Sequence, residues 1–174
     1  IGYHPTVGGT VYVGTFEGGL FRTSDGGSTW VTLNTGLTDL NIGAIAVSHT
    51  NPSTLIVATA GGGVLRSTDA GLSWSVVLAV ASRVLFADPR MPGVMLSGAP
   101  NQLYVSTNDG AAWSVIGQPL SESVASIAID PERDGGYLIA TSAQALRPNT
   151  TNGVLESVNA NLPPKTVHQL LAHP

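Results

Sequence analysis

The sequence predicts an all-β protein of four repeats, about 42 residues each, with every repeat folding into four antiparallel strands. Three observations carry this expectation. A short turn motif closing on tryptophan occurs three times. A polar residue leading into proline recurs between the motifs at nearly the same period. Between these two markers lie β-branched and apolar runs of strand length.

The turn motif reads Thr23-Ser24-Asp25-Gly26-Gly27-Ser28-Thr29-Trp30, then Ser67-Thr68-Asp69-Ala70-Gly71-Leu72-Ser73-Trp74, then Ser106-Thr107-Asn108-Asp109-Gly110-Ala111-Ala112-Trp113. The tryptophans are 44 and 39 residues apart. Asp or Asn folds back onto backbone N–H groups, Gly accepts positive φ, and Ser or Thr adds a local hydrogen bond. Trp then opens the next strand and is expected to pack its ring into the sheet. Each motif is read as a rigid corner between two antiparallel strands.

The proline marker reads Tyr3-His4-Pro5, His49-Thr50-Asn51-Pro52, Asp88-Pro89, Asp130-Pro131 and His173-Pro174. Apolar runs precede it at Ile42 to Val47, Val84 to Ala87, Val124 to Ile129 and Leu170 to Ala172. Pro ends each run because it cannot continue a central ladder. After the proline come Thr10 to Thr15, Thr54 to Thr59, Val94 to Gly98 and Tyr137 to Thr141. Then come Gly18 to Arg22, Gly62 to Arg66, Gln102 to Val105 and Gln144 to Arg147. One repeat therefore holds an inner strand, a second strand, a third entering the turn motif and a fourth starting at Trp. That is the size of one β-propeller blade. The expected repeats are residues 1–41, 42–83, 84–123 and 124–165, with 166–174 beginning a further inner strand. The fourth repeat departs from the pattern. Aligned on its Gly, Asn149 to Glu156 replaces the motif and Glu156 stands where Trp belongs, which predicts a looser corner.

Composition narrows the function. Of 174 residues, 43% are apolar and only 10% charged, so Ser, Thr, Asn and Gly must cover the surface. Such a surface suits an extracytoplasmic setting: periplasmic, lumenal or secreted. With no cysteine, disulfides, thiolate zinc sites and cysteine nucleophiles are excluded. The net charge is −4 and no basic stripe exists, so nucleic acid is not an expected partner. No apolar run reaches the length of a membrane-spanning helix; the longest, Val76 to Val80, is strand-sized.

The three motifs resemble the Asp-box, or BNR repeat, of the sialidase superfamily and its relatives, and the likeness extends over essentially the whole chain. In this resemblance the structural box residues are Thr23, Asp25, Gly27 and Trp30, then Ser67, Asp69, Gly71 and Trp74, then Ser106, Asn108, Gly110 and Trp113. The extended pattern from Gly62 to Trp74 is similar to xyloglucanase-like, photosystem II assembly-factor-like and sortilin-like propellers. Enzymes and non-enzymes share the motif, and in these families it lies on the blade periphery, away from the central binding site. The resemblance therefore implies fold more than function.

No catalytic constellation emerges. Sialidases need three arginines from different inner positions, whereas Arg22 and Arg66 occupy one repeated position, which implies a structural role on the third strand. Glycoside hydrolysis needs two carboxylates about 5–10 Å apart. Asp25, Asp69 and Asp109 belong to boxes, and Asp88 and Asp130 to turns. Glu17, Asp39, Glu122, Glu132, Asp134 and Glu156 read as solvated charge, with Glu17 and Glu122 the least settled. His4, His49 and His173 share the position of Asp88 and Asp130, one per repeat, too far apart for one metal; turn capping before Pro is the expected role. No metal and no cofactor is expected. Asn149-Thr150-Thr151 is a glycosylation sequon.

Two closures fit four repeats. Residues 166–174 would complete the first blade, or the chain is a piece of a longer propeller; an initial Ile and a final Pro favour the second. The leading functional expectation is a non-catalytic binding or assembly module whose partner is a protein in a larger complex, with a glycan as the other ligand class. The alternative is a fragment of a xyloglucanase-like glycoside hydrolase.

Overall fold

The computed structural model describes residues 1–130, 133, 136–148 and 154–158. These form four antiparallel sheets of four strands. The first holds β1 (Gly2–Tyr3), β2 (Val11–Thr15), β3 (Gly19–Thr23) and β4 (Val31–Thr32). The second holds β5 (Ile42–Val47), β6 (Leu55–Thr59), β7 (Gly63–Ser67) and β8 (Ser75–Leu78). The third holds β9 (Val84–Ala87), β10 (Met95–Gly98), β11 (Leu103–Ser106) and β12 (Ser114–Ile116). The fourth holds β13 (Val124–Ile129), β14 (Tyr137–Thr141), β15 (Ala145–Pro148) and β16 (Leu155–Ser157). Strand order within each sheet follows the sequence.

The sheets stack as successive blades. β1 and β2 pack on β5, β5 and β6 on β9, and β9 and β10 on β13. Among the described residues, the substantial contacts between sheets all join sheets consecutive in sequence. The inner strands approach one another, and the fourth strands lie on the periphery.

The core is the set of seams between sheets. β6 explains why its run shows no polar alternation. Leu55 and Val57 join Tyr12, Leu20, Leu33 and Trp74 in one cluster, while Ile56 and Ala58 join Val64 and Met95 in the next. Successive side chains point to opposite faces, and both faces are covered. Full burial of each Leu, Ile or Val contributes about 1.5–3 kcal/mol, so the seams hold the stack together. Leu138, at the register position of Ile56, is only half-buried.

Alternating strand direction gives the stack two rims. Box motifs and proline turns lie on one, here the box face. The turns after the second strands and the connections between sheets lie on the other, the loop face.

Register corrects two sequence expectations. Ser48 N–H bonds to Thr54 O as His4, Asp88 and Asp130 bond to Thr10, Val94 and Gly136. The residue equivalent to His4, Asp88 and Asp130 is therefore Ser48, not His49, because the second turn carries extra residues before its proline. In the fourth sheet, Arg147 pairs with Glu156 as Arg22 pairs with Val31 and Arg66 with Ser75. The Trp position thus falls to Leu155, which is buried, and not to Glu156. Asn149 to Gly153, Lys165 and His173 lie outside the described residues.

Candidate functional site

The box face is built from the repeated residues. In the first box, Thr23 Oγ1 accepts the amides of Asp25 (3.3 Å) and Gly27 (2.9 Å) and donates to Asp25 Oδ1 (2.7 Å). Asp25 in turn accepts Thr29 N (2.9 Å) and Thr29 Oγ1 (2.6 Å). The second box repeats this with Ser67, Asp69, Gly71 and Ser73. In the third, Ser106 Oγ accepts Gly110 N and Asn108 Oδ1 accepts Ala112 N, both at 2.9 Å. Bonds from Thr29 hold the Asp25 carboxyl down at about 2, and bonds from Ser73 and Ser67 do the same for Asp69. The side-chain oxygens of Asp25, Asp69 and Asn108 accept inside their own loops.

The tryptophans diverge. Trp74 is 8% exposed and its indole N–H donates to Leu33 O of the preceding sheet at 2.9 Å. Trp30 and Trp113 donate to the Gly of their own box instead, Gly27 O at 3.2 Å and Gly110 O at 3.1 Å. Trp30 is 46% exposed, against the expected packing of its ring. A Cβ on Gly71 would meet Leu33 Cδ1 at 2.7 Å, and one on Gly110 would meet Ile56 Cγ1 at 2.7 Å.

Polar residues of the box face fasten neighbouring sheets. Ser48 Oγ donates to Asp109 Oδ1 (2.7 Å), Thr50 donates to Asp109 Oδ2, and Arg66 Nε donates to Asp109 O (2.8 Å). Asp88 accepts Arg90 Nη2 (3.0 Å) and the Tyr137 hydroxyl (2.8 Å) of the next sheet. Burial pushes the Asp88 carboxyl up, but the bonds from Arg90 and Tyr137 outweigh it and its pKa is lowered. Asp130 and Arg147 form an ion pair at 2.6 Å. His4 Nδ1 accepts the amides of Thr6 and Val7, and His49 is exposed. Among the described residues no group of three or more His, Cys, Asp or Glu is arranged to hold a metal.

The loop face is different. Asp39 accepts Asn41 N (2.9 Å) and Gly61 N (2.6 Å), and Asn41 Oδ1 accepts Glu17 N. Chiefly the Asn41 amide holds the Asp39 carboxyl below its ordinary value. Glu122 accepts Ser142 Oγ at 2.7 Å. Ser82 Oγ donates to Gly98 O at 2.8 Å and accepts Ser97 Oγ at 2.9 Å. These bonds fix the connections between sheets against the neighbouring turns.

Within this frame lies a cavity of about 310 Å³ lined by Ala60, Ala81, Arg83, Pro100, Ser123 and neighbouring backbone. A smaller one of about 70 Å³, between Phe16, Asn41, Gly43, Ala60 and Arg83, adjoins it at Ala60 and Arg83. Two β-bulges sit at the rim, between Ile42 and Ala44 and between Val124 and Ser126. Bulges re-aim the chain beside sites. Gly43 lies in the first; a Cβ there would meet Arg83 Cα at 2.8 Å, so its absence lets the Arg83 backbone close in. Sequence reasoning passed over Arg83. The available signal was that Arg83 stands outside the third-strand position shared by Arg22, Arg66 and Arg147 and outside the proline turns that carry Arg90 and Arg133.

No protein-family model matches the chain, and no curated protein matches it. Solved structures do. An ancestral GH74 enzyme is similar at 20% identity over 99% of this chain, with a TM-score of 0.74. A GH74 xyloglucanase from Xanthomonas campestris is similar at 17% identity over 91%, with a TM-score of 0.71. YCF48 bound to D1 peptide is similar at 17% identity over 87%, with a TM-score of 0.64. The chain spans 23%, 29% and 52% of those three proteins. At these identities the likeness gives the fold: the four sheets are blades of a β-propeller, of the kind seen in GH74 enzymes and YCF48.

Proposed function

We propose that this chain is a non-catalytic recognition module of a larger assembly, holding a protein partner on its loop face in an extracytoplasmic setting. The observation that carries this is the cavity beside Arg83, which is lined by small, apolar and hydroxyl side chains and one guanidinium, with no carboxylate in its wall. On the same face, Asp39 accepts amides on both carboxylate oxygens and Glu122 accepts the Thr141 and Ser142 hydroxyls on Oε2, bonds that shape the loops. The low charged content and the likeness to an extracellular domain of Bacteroides thetaiotaomicron support the location. The likeness to a propeller solved with a bound peptide supports the ligand class.

The second reading is a piece of a glycoside hydrolase, favoured by the GH74 likeness and by the exposed Glu17 on the loop face. One experiment separates them. The purified chain is incubated with xyloglucan and a panel of β-glucans while reducing ends are measured, and it is immobilised and probed with a random peptide library. Peptide enrichment without sugar release is expected. Reducing ends that vanish in Glu17→Gln or Glu122→Gln would overturn the recognition reading.

A further inference from the structure

We infer that the joined cavities on the loop face form a groove for an extended peptide bearing a single carboxylate, which Arg83 clamps while Phe16 covers an apolar side chain. This rests on the recognition reading and names its ligand. Arg83 is exposed, and among the described residues it has no hydrogen-bond or ion-pair partner. It is also the one arginine placed on that face there; Arg22, Arg66 and Arg147 lie on third strands and Arg90 and Arg133 follow the proline turns of the box face. A guanidinium with its five donors uncommitted at the junction of two cavities matches a carboxylate in bidentate geometry.

The walls set the rest of the ligand. Phe16 is 76% exposed at one end, an apolar plate that none of the described residues covers. Ala60, Ala81 and Pro100 are small and uncharged, so the groove admits a thin chain in preference to a bulky one. Ser123, at the other end, has an exposed hydroxyl without a partner among the described residues. Glu17, Asp39 and Glu122 stand on the same face and disfavour a second negative charge. One carboxylate beside an apolar residue is therefore preferred over an acidic tract. A uronic-acid glycan offers the same charge but no apolar side chain for Phe16.

Fluorescein-labelled, C-terminally amidated short peptides of Ala, Pro, Leu and Ser carrying one central Glu, and the matching Gln set, are titrated into the chain by anisotropy. A charge-assisted bond predicts that the Glu set binds about tenfold tighter, and that Arg83→Gln removes this preference while leaving the Gln set unchanged. Since Arg83 has no partner among the described residues, the variant's melting curve serves as the folding control. Equal binding of the two sets, or a preference that survives Arg83→Gln, would overturn the groove assignment while the recognition reading stands. Binding of an oligogalacturonide with neither peptide set bound would overturn the peptide in favour of an acidic glycan. Failure of all three probes would overturn both readings.

Discussion

Tyr137→Phe isolates the bond that fastens the fourth sheet to the third. The Tyr137 hydroxyl donates to Asp88 Oδ2 at 2.8 Å, and the two residues are 7% and 1% exposed. Phe keeps the ring and its edge-on contact with Phe86, whose centroid is 5.8 Å away, so the apolar burial is preserved. A hydrogen bond to a charged acceptor contributes about 1.5–3 kcal/mol. Asp88 keeps Arg90 Nη2 on the same oxygen at 3.0 Å and Arg90 N on the other at 2.8 Å, so no lone carboxylate is left behind. The expected loss is therefore at the lower end, about 1.5 kcal/mol, read from urea unfolding with an unchanged m-value. A second arm uses pH. Burial first, then the bond to Asp88, raises the Tyr137 pKa above its ordinary 10.0. The folded state favours the neutral phenol, so its contribution is complete below pH 10 and shrinks as pH rises past it toward the raised folded value. The gap between wild type and Tyr137→Phe narrows above pH 10. A loss under about 0.5 kcal/mol at neutral pH, or a gap constant through the alkaline range, would refute the assignment.

Two further outcomes test the boxes. Gly71→Ala combines a left-handed φ of 90° with a Cβ only 2.7 Å from Leu33 Cδ1, whereas Gly27→Ala at φ 102° meets only Trp30 Cζ2, at 3.9 Å. Urea melts are expected to show a loss of about 2–4 kcal/mol for the first and about 1 kcal/mol for the second, and equal losses would contradict an inter-sheet role for the second box. The carboxyls of Asp25 and Asp69 are lowered from 3.8 to about 2, so their contribution is complete above pH 3.8 and disappears as pH falls through about 2. Melting curves across that window are expected to flatten in the doubly substituted Asp25→Asn, Asp69→Asn chain, since the third box already carries a non-titrating Asn108.

The strands and corners were legible because their chemistry is local. A Ser or Thr, an Asp or Asn and a Gly within five positions suffice to fold the turn, whatever lies beside it. Errors arose where a single anchor was trusted. Aligning on proline moved the capping position from Ser48 to His49, since the second turn has the same span as the others but carries its proline later, at Pro52. Aligning on Gly153 moved the Trp position from Leu155 to Glu156, since strand register and not the glycine fixes it. The exposure of Trp30 was illegible for another reason: whether a box tryptophan is covered depends on residues outside its motif, such as Leu33 for Trp74. Arg83 was missed because its surroundings come from three repeats, through connections of unequal length.

That last miss reflects how a repeat divides its labour. On the box face the same side chains recur, and they do two tasks at once. The box closes its own corner, and then its glycine and the residue before it meet the preceding sheet: Gly71 against Leu33, Gly110 against Ile56, Asp109 against Ser48 and Arg66. Such positions cannot vary freely, because each is held by two requirements. On the loop face Thr15 and Thr59 repeat one bond, to Gly19 O and Gly63 O, but the turn tips vary more: Phe16-Glu17, Ala60-Gly61, Ala99-Pro100 and Ser142-Ala143. There different side chains anchor each connection to the neighbouring turns: Asp39 with Asn41, Ser82, then Glu122. A ligand that contacts several blades at once sees asymmetry, so recognition has to be written in residues that break the repeat. Arg83, Phe16 and Gly43 are such residues, and they adjoin one another on the loop face.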